Sequence, residues 1–286
     1  MLKLILSAVS CVLWANEPGI TVSPSHPSNG GVALLKIADA AARSELSLTQ
    51  DGKPIGFFEC GKKEPKSACA FLSFPFEEEV KTSKVDLSWK QSESVRTHTL
   101  TVQLKPKSFP ITKLRVDPSK VNPTAEDQIR IETEKKEILE AFTHSSAVPL
   151  WEGRFKRPAK GGETSPYGQK RMFNNEVKGV HYGLDLRAVE GTPIYATNSG
   201  TVVLAKELFY AGNLVVLDHG LNLFSSYAHL SKIEVKVGDK VKAGARIGLS
   251  GSSGRVTGPH LHWTIRVHGL NVDPKEFLQV SSKAFR

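Results

Sequence analysis

Cysteine is scarce in this 286-residue chain: there are three, Cys11, Cys60 and Cys69. None stands in a CxxC pair, which argues against a thiolate-held structural zinc. No HExxH occurs, so the helix-borne glutamate of that metallopeptidase class is missing. No GK[ST] follows the glycine-rich stretches, which removes the usual phosphate cradle. Internal repeats, low-complexity tracts and recognisable nucleic-acid-binding motifs are absent as well. The one long apolar run, residues 4–14, falls short of the roughly 20 residues that a membrane-crossing helix needs. What is present is ordinary: 40% hydrophobic and 23% charged residues exclude wholesale disorder. A formal net charge of +9 suits an anionic polymer or membrane surface as partner, or serves solubility alone.

The first residues bear on compartment. Lys3 is a short basic start, residues 4–14 are apolar, and Ala15 is small. That is the three-part layout of a secretory signal peptide over residues 1–15, and it predicts an exported protein. Two other readings stay open: a buried first strand or helix, and a lipoprotein signal ending at Cys11, which Ala8-Val9-Ser10 fits poorly. In an exported chain Cys60 and Cys69 are expected to pair. They flank the polar stretch Gly61-Lys62-Lys63-Glu64-Pro65-Lys66-Ser67, as in a hairpin loop stapled at its base. Two free thiols are the alternative.

Residues 17–30, rich in Pro, Ser and Gly, read as a loose leader into a front domain spanning 17–117. From about 31 to 115 apolar residues alternate with polar ones: Leu46 and Leu48, Ile55 and Phe57, Val85, Leu87 and Trp89, Leu100, Val102 and Leu104. Period two puts these on one face of each strand and predicts a small antiparallel, Ig-like β-sandwich. Thr124 with Asp127 three residues on forms a capping box. Ile131, Ile138, Leu139 and Phe142 then share a helical stripe. Residues 118–146 therefore read as a helical linker, or as a helix owned by one domain. Residues 147–286 are strand-like again, with candidates at 191–196, 201–206, 213–218 and 260–267.

Most of the nine histidines lie in this last part. The chemical places are His181-Tyr182-Gly183-Leu184-Asp185, Tyr227-Ala228-His229-Leu230 and His260-Leu261-His262. The glycine-rich segment 248–254 precedes the last of these and reads as a tight loop. Residues two apart in a strand share a face, so His260 and His262 converge on one site. Two imidazoles and a carboxylate are a common catalytic zinc set, and His181 and Asp185 can complete it. His219 reads as structural. His26, His98, His144 and His268 have no partner pattern and are expected to be exposed or locally bonded.

From Trp151 to Pro274 the chain resembles the lysostaphin/LytM-type zinc peptidoglycan endopeptidases. The resemblance rests on Ser165-Pro166-Tyr167-Gly168, His181-Tyr182-Gly183-Leu184-Asp185-Leu186 and Gly191-Thr192-Pro193-Ile194-Tyr195-Ala196. It continues through Gly212-Asn213, Asp218-His219-Gly220, Tyr227-Ala228-His229-Leu230 and Gly238-Asp239. It ends on Gly254-Arg255-Val256-Thr257-Gly258-Pro259-His260-Leu261-His262. Tyr167 stands where the family often has Phe. The front sandwich and helix resemble, less distinctively, the accessory region of some Gram-negative members.

The resemblance implies a mainly β protein whose C-terminal antiparallel β-sheet domain is a zinc peptidase. It implies one Zn2+ per chain held by His181, Asp185 and His262, with His229 and His260 as catalytic histidines. The implied substrate is the peptide cross-link of peptidoglycan, in the periplasm or cell envelope. No nucleic acid is implied, and a regulatory or anchoring protein is a possible partner. The front domain is expected to restrict access to the site or to anchor the enzyme. A non-hydrolytic wall-binding or hydrolase-regulating module is the alternative function, although a binder needs neither catalytic histidine.

Overall fold

The computed structural model describes residues 19–61, 66–77, 79–91, 93–114, 123–173 and 176–285. The expected signal peptide and Cys11 lie outside these.

The front part is a sandwich of two four-stranded antiparallel sheets. Its strands are β1 (Ile20–Ser23), β2 (Val32–Ile37), β3 (Ser44–Gln50), β4 (Lys53–Pro54), β5 (Phe58–Glu59), β6 (Ala68–Ser73), β7 (Thr82–Gln91) and β8 (Ser94–Gln103). One sheet has the order β1-β2-β6-β5, the other β4-β3-β7-β8. Val85, Leu87 and Trp89 are buried while their neighbours are not, as the alternation predicts. They meet Leu35, Ile37, Leu72 and Phe74 of the opposite sheet in one core.

β2 and β6 lack that alternation because both of their faces are covered. Ala33, Leu35, Ala70 and Leu72 face the sandwich core. Val32, Leu34 and Phe71 face a second core shared with the C-terminal part, among Trp151, Phe155 and Phe277. Cys60, just after β5, and Cys69 of β6 form a disulfide with Cα atoms 5.3 Å apart, beside the pairing of Phe58 with Cys69. Closing so short a loop is worth about 2–3 kcal/mol.

The domains are therefore packed together rather than strung on a tether. Phe58 meets Trp151 edge-on at 5.2 Å and Phe71 meets Phe277 at 5.4 Å between ring centroids. Gly61 N donates to Ala284 O, and Asp273 N to Gly30 O. Lys107 bridges Asp273 and Glu276 at 2.9 and 2.8 Å. His268, expected to be exposed or locally bonded, instead donates from Nε2 to Phe71 O at 3.1 Å. Its partner lies 197 residues away, beyond any local pattern. A strand of the front half, β9 (Ile111–Leu114), even pairs in parallel with a strand beyond the helix, as given below.

Helix α1 spans Ala125–Ala141 and opens on the expected box: Thr124 Oγ1 accepts from Asp127 N, and Asp127 accepts from Thr124 N. The stripe is only partly confirmed, since Leu139 is exposed while Ile138 and Phe142 pack on the sheet. Polar contacts dock the helix. Arg130 reaches Glu207, Lys206 reaches Glu137, and the buried Glu134 accepts from Phe209 N. The segment after it is pinned as well, with Ser145 Oγ and Ser146 N donating to Asp218.

The C-terminal part contains β10 (Glu163–Ser165), β11 (Lys170–Phe173), β12 (Glu176–Val180), β13 (Leu184–Arg187), β14 (Pro193–Tyr195) and β15 (Gly200–Leu208). These are followed by β16 (Gly212–Asp218), β17 (Leu223–Ile233), β18 (Lys240–Val241), β19 (Arg246–Ser250), β20 (His260–Val267), β21 (Leu270–Val272) and helix α2 (Pro274–Lys283). The main sheet runs β10-β13-β20-β17-β16-β15-β18, with β14 on β19, β19 on β17 and β21 on β20. A small sheet of order β12-β11-β9 lies beside it, with β9 and β11 parallel. The segment read as a glycine-rich loop divides: residues 246–250 are strand β19, and the loop is 251–259. Gly248 fits inside β19 because a Cβ there would lie 2.5 Å from Lys232 O.

Candidate metal centre

β13 and β20 are neighbours, with Asp185 opposite His262 and Arg187 opposite His260. Leu184, Leu186, Leu261 and Trp263 point into the shared core. Asp185, His260 and His262 therefore stand on the other face. His181 arrives from the turn before β13, and Gly183 permits its approach. A Cβ on Gly183 would lie 2.5 Å from the His262 ring, so only glycine fits there.

Three ligand atoms converge. His181 Nε2 is 2.9 Å from Asp185 Oδ1 and 2.9 Å from His262 Nδ1, and His262 Nδ1 is 2.8 Å from Asp185 Oδ1. His181 Nδ1 donates to Pro166 O at 2.8 Å, which leaves Nε2 a lone pair aimed inward. His262 Nε2 lies 3.2 Å from Thr264 Oγ1; donation there makes Nδ1 a lone pair too. Two lone pairs and a carboxylate facing one another repel unless a cation lies between them. With a proton in place of the cation, burial works against the charged form of Asp185, but hydrogen bonds from His181 and His262 and their positive charge outweigh it. They hold its carboxyl below the usual carboxylate range. His181 and Asp185 are buried and His262 is half-buried, so the set has one open side.

His229 reaches this face through a backbone irregularity. Strand period would put it with Tyr227, which is in the core. β17 instead carries an extra residue: Asn213 pairs with Leu230 while Val215 pairs with Tyr227. This bulge turns His229 to the face of Ala228, whose cross-strand partner is His262. His229 has φ 63°, the left-handed region that a non-glycine residue seldom takes. Its N donates to Ala211 O. The His229 ring lies 4.9 Å from that of His260 and 6.0 Å from that of His262.

Both rings are held alike. His229 Nδ1 donates to Ser253 O and His260 Nδ1 to Gly258 O, each at 2.9 Å, so in a neutral ring Nε2 is the nitrogen that carries the lone pair. His260 Nε2 is 3.7 Å from Asp185 Oδ1. Burial first, then repulsion by His262 and His260, pushes the pKa of His229 down to about 3, so it is neutral in ordinary solution.

The structure thus brings together all five histidine and aspartate residues singled out in the sequence. His219 lies elsewhere, buried in the core with Nδ1 donating to Ser199 O and Nε2 2.8 Å from Ser225 Oγ. The sequence reading did not find the carbonyls that orient the rings, those of Pro166, Ser253 and Gly258. Their signal was the Pro and Gly residues that let backbone approach the site.

Residues 179–274 match the profile of peptidase family M23. The chain carries a peptidase family M23 domain. Over 93 residues it is 52% identical to the peptidoglycan DD-endopeptidase ShyA of Vibrio cholerae, covering 32% of this chain and 22% of that protein. Over 111 residues it is 43% identical to the peptidoglycan DD-endopeptidase ShyB of the same organism, covering 38% and 26%. The chain thus aligns with only about a quarter of the length of these relatives. A candidate M23 peptidase of Pseudomonas aeruginosa of known structure matches 89% of this chain and 96% of its own, with TM-score 0.67 and 29% identity. The likeness therefore extends through the front sandwich. M23 is a metallopeptidase family, and zinc fits the donor set present: two imidazole nitrogens and one carboxylate oxygen, all within 4.8 Å of one another.

Proposed function

We propose that this protein is an exported zinc endopeptidase that hydrolyses peptide cross-links of peptidoglycan in the periplasm or cell envelope. The observation that carries this reading is the convergence of His181, Asp185 and His262, with His229 and His260 on the same sheet face. His181 Nε2, Asp185 Oδ1 and His262 Nδ1 would hold the zinc. Bound there, zinc would supply Lewis acidity and lower the pKa of water toward 7.

The chain's own residues do the rest. His229 and His260, each oriented by a backbone carbonyl, keep Nε2 open toward the reacting atoms. Between them the two imidazoles take up the proton of the attacking water and return it to the leaving amine. Once protonated, such a ring also stabilises the oxyanion of the tetrahedral intermediate. The depressed pKa of His229 keeps it in the proton-accepting form at neutral pH. A net charge of +9 favours approach to an anionic wall polymer. Phe76 of the front sandwich meets Tyr182 at 5.7 Å, beside His181, so the front domain forms one border of the site.

The test is digestion of purified sacculi with mass analysis of the products. Release of uncross-linked stem peptides on intact glycan is expected, sensitive to a zinc chelator. Cleaved glycan with intact cross-links contradicts the reading.

A further inference from the structure

Arg187 stands on the same sheet face as the candidate metal set. It follows Asp185 by two residues in β13 and pairs across the sheet with His260, as Asp185 pairs with His262. Leu184 and Leu186, the alternate residues, are buried in the core, so period two fixes Arg187 on the side of Asp185, His260 and His262. It is exposed, and it forms no ion pair among the described residues. Its backbone is held firmly: Arg187 N donates to Gly162 O at 2.8 Å, and Gly161 packs against Arg187 O so closely that a Cβ would not fit.

An exposed guanidinium on a firmly held backbone, one strand step from the site and with no ion pair among the described residues, has a definite chemistry. It is always charged, and its planar fork accepts a carboxylate through two parallel hydrogen bonds. Two residues along a strand span roughly 6.6 Å, about two residues of an extended peptide lying in the groove. The anion it meets therefore belongs to a residue flanking the bond that is cut. A linear peptide bond offers no free main-chain carboxylate there. A cross-link made on the side-chain amine of a diamino dicarboxylic acid does, because that residue keeps its own carboxyl beside the new amide. Resting on the endopeptidase reading above, we propose that Arg187 is a specificity-determining residue. It binds the free carboxylate of the residue that supplies the amine of the scissile bond.

The test uses full-length, zinc-loaded protein and two peptides with a D-alanyl amide on the side-chain amine of diaminopimelic acid. One has the adjoining carboxylate free and the other has it as carboxamide. A second pair carries a methylene in place of the scissile carbonyl, so that binding is measured without cleavage. A charge-assisted bidentate contact predicts that the wild type favours acid over amide by roughly 10–100-fold, in kcat/KM and in Kd. Arg187→Gln brings both ratios close to unity, Arg187→Lys keeps part of them, and rising salt lowers the wild-type ratio. A wild-type ratio of unity, or an unchanged ratio in Arg187→Gln, overturns the proposal. If neither peptide is cut while the binding ratio still depends on Arg187, the carboxylate site stands and the endopeptidase reading falls.

Discussion

Two histidine clusters occupy opposite faces of one sheet, and they are finished differently. On the core face, His219 gives Nδ1–H to Ser199 O, and its Nε2 meets Ser225 Oγ, which lies 2.8 Å from the Tyr227 hydroxyl. The Tyr227 hydroxyl also accepts from Thr197 N. Every ring nitrogen has a protein partner, and the network closes on itself. On the other face, His181 and His262 direct their inner nitrogens at each other and at Asp185, three ligand-type atoms within 4.8 Å that suit a shared cation. The site is marked by the convergence of two imidazole nitrogens and a carboxylate oxygen, the core element by one imidazole closed off by a carbonyl and a hydroxyl. Burial does not make this distinction, since His181 and His219 are both buried.

Substitutions can break the comparison at several strengths. The largest effect is expected at His262. Replacement by Ala removes one of three donors, and cross-link hydrolysis, followed on purified sacculi, should disappear. His229→Ala should lower turnover by roughly 10²–10⁴, the usual worth of positioned acid–base help, while zinc stays bound; loss of zinc there would make His229 a ligand. Gly183→Ala pushes a methyl group against the His262 ring and should weaken zinc affinity about 10–100-fold, as disturbed ligand orientation does. Competition with a chromogenic chelator measures this, and unchanged affinity would show that the turn has slack.

The smallest effect on turnover belongs to the closed cluster. His219→Asn should leave hydrolysis within about threefold and cost roughly 1–3 kcal/mol of stability. It should also change the acid sensitivity. Burial lowers the His219 pKa from 6.5 to about 4. Between those values the unfolded chain binds more protons, so the contribution is intact above about pH 6.5 and is lost as pH falls toward 4. Urea unfolding of the wild type should therefore lose about 2 kcal/mol more than His219→Asn between pH 7 and 5. Equal losses would mean that His219 does not titrate in the unfolding reaction.

The sequence made part of this legible. Period-two alternation at Val85, Leu87 and Trp89 located the sandwich, and the Thr124–Asp127 box located the start of α1. The strand at residues 260–267 and the shared face of His260 and His262 follow from the same period. What escaped depends on long-range packing. β17 was not read as a strand because its centre is covered on both faces, which mixes the pattern in Leu223-Phe224-Ser225-Ser226-Tyr227-Ala228. Simple alternation would also place His229 on the wrong face, because a bulge is invisible in composition. The docking of α1 rests on Arg130, Glu134 and Glu137, polar residues that an apolar stripe does not mark. The contact of His268 with Phe71 belongs to an interface between distant segments.

The central claim is that the open cluster is a metal centre and the closed one is not. Metal analysis of dialysed, purified protein tests it most directly, with wild type, His262→Ala, His229→Ala and His219→Asn prepared side by side. The account predicts one zinc per chain in wild type, His229→Ala and His219→Asn, and none in His262→Ala. A His262→Ala protein that keeps one zinc as tightly as wild type, or a His219→Asn protein that loses it, would contradict the account.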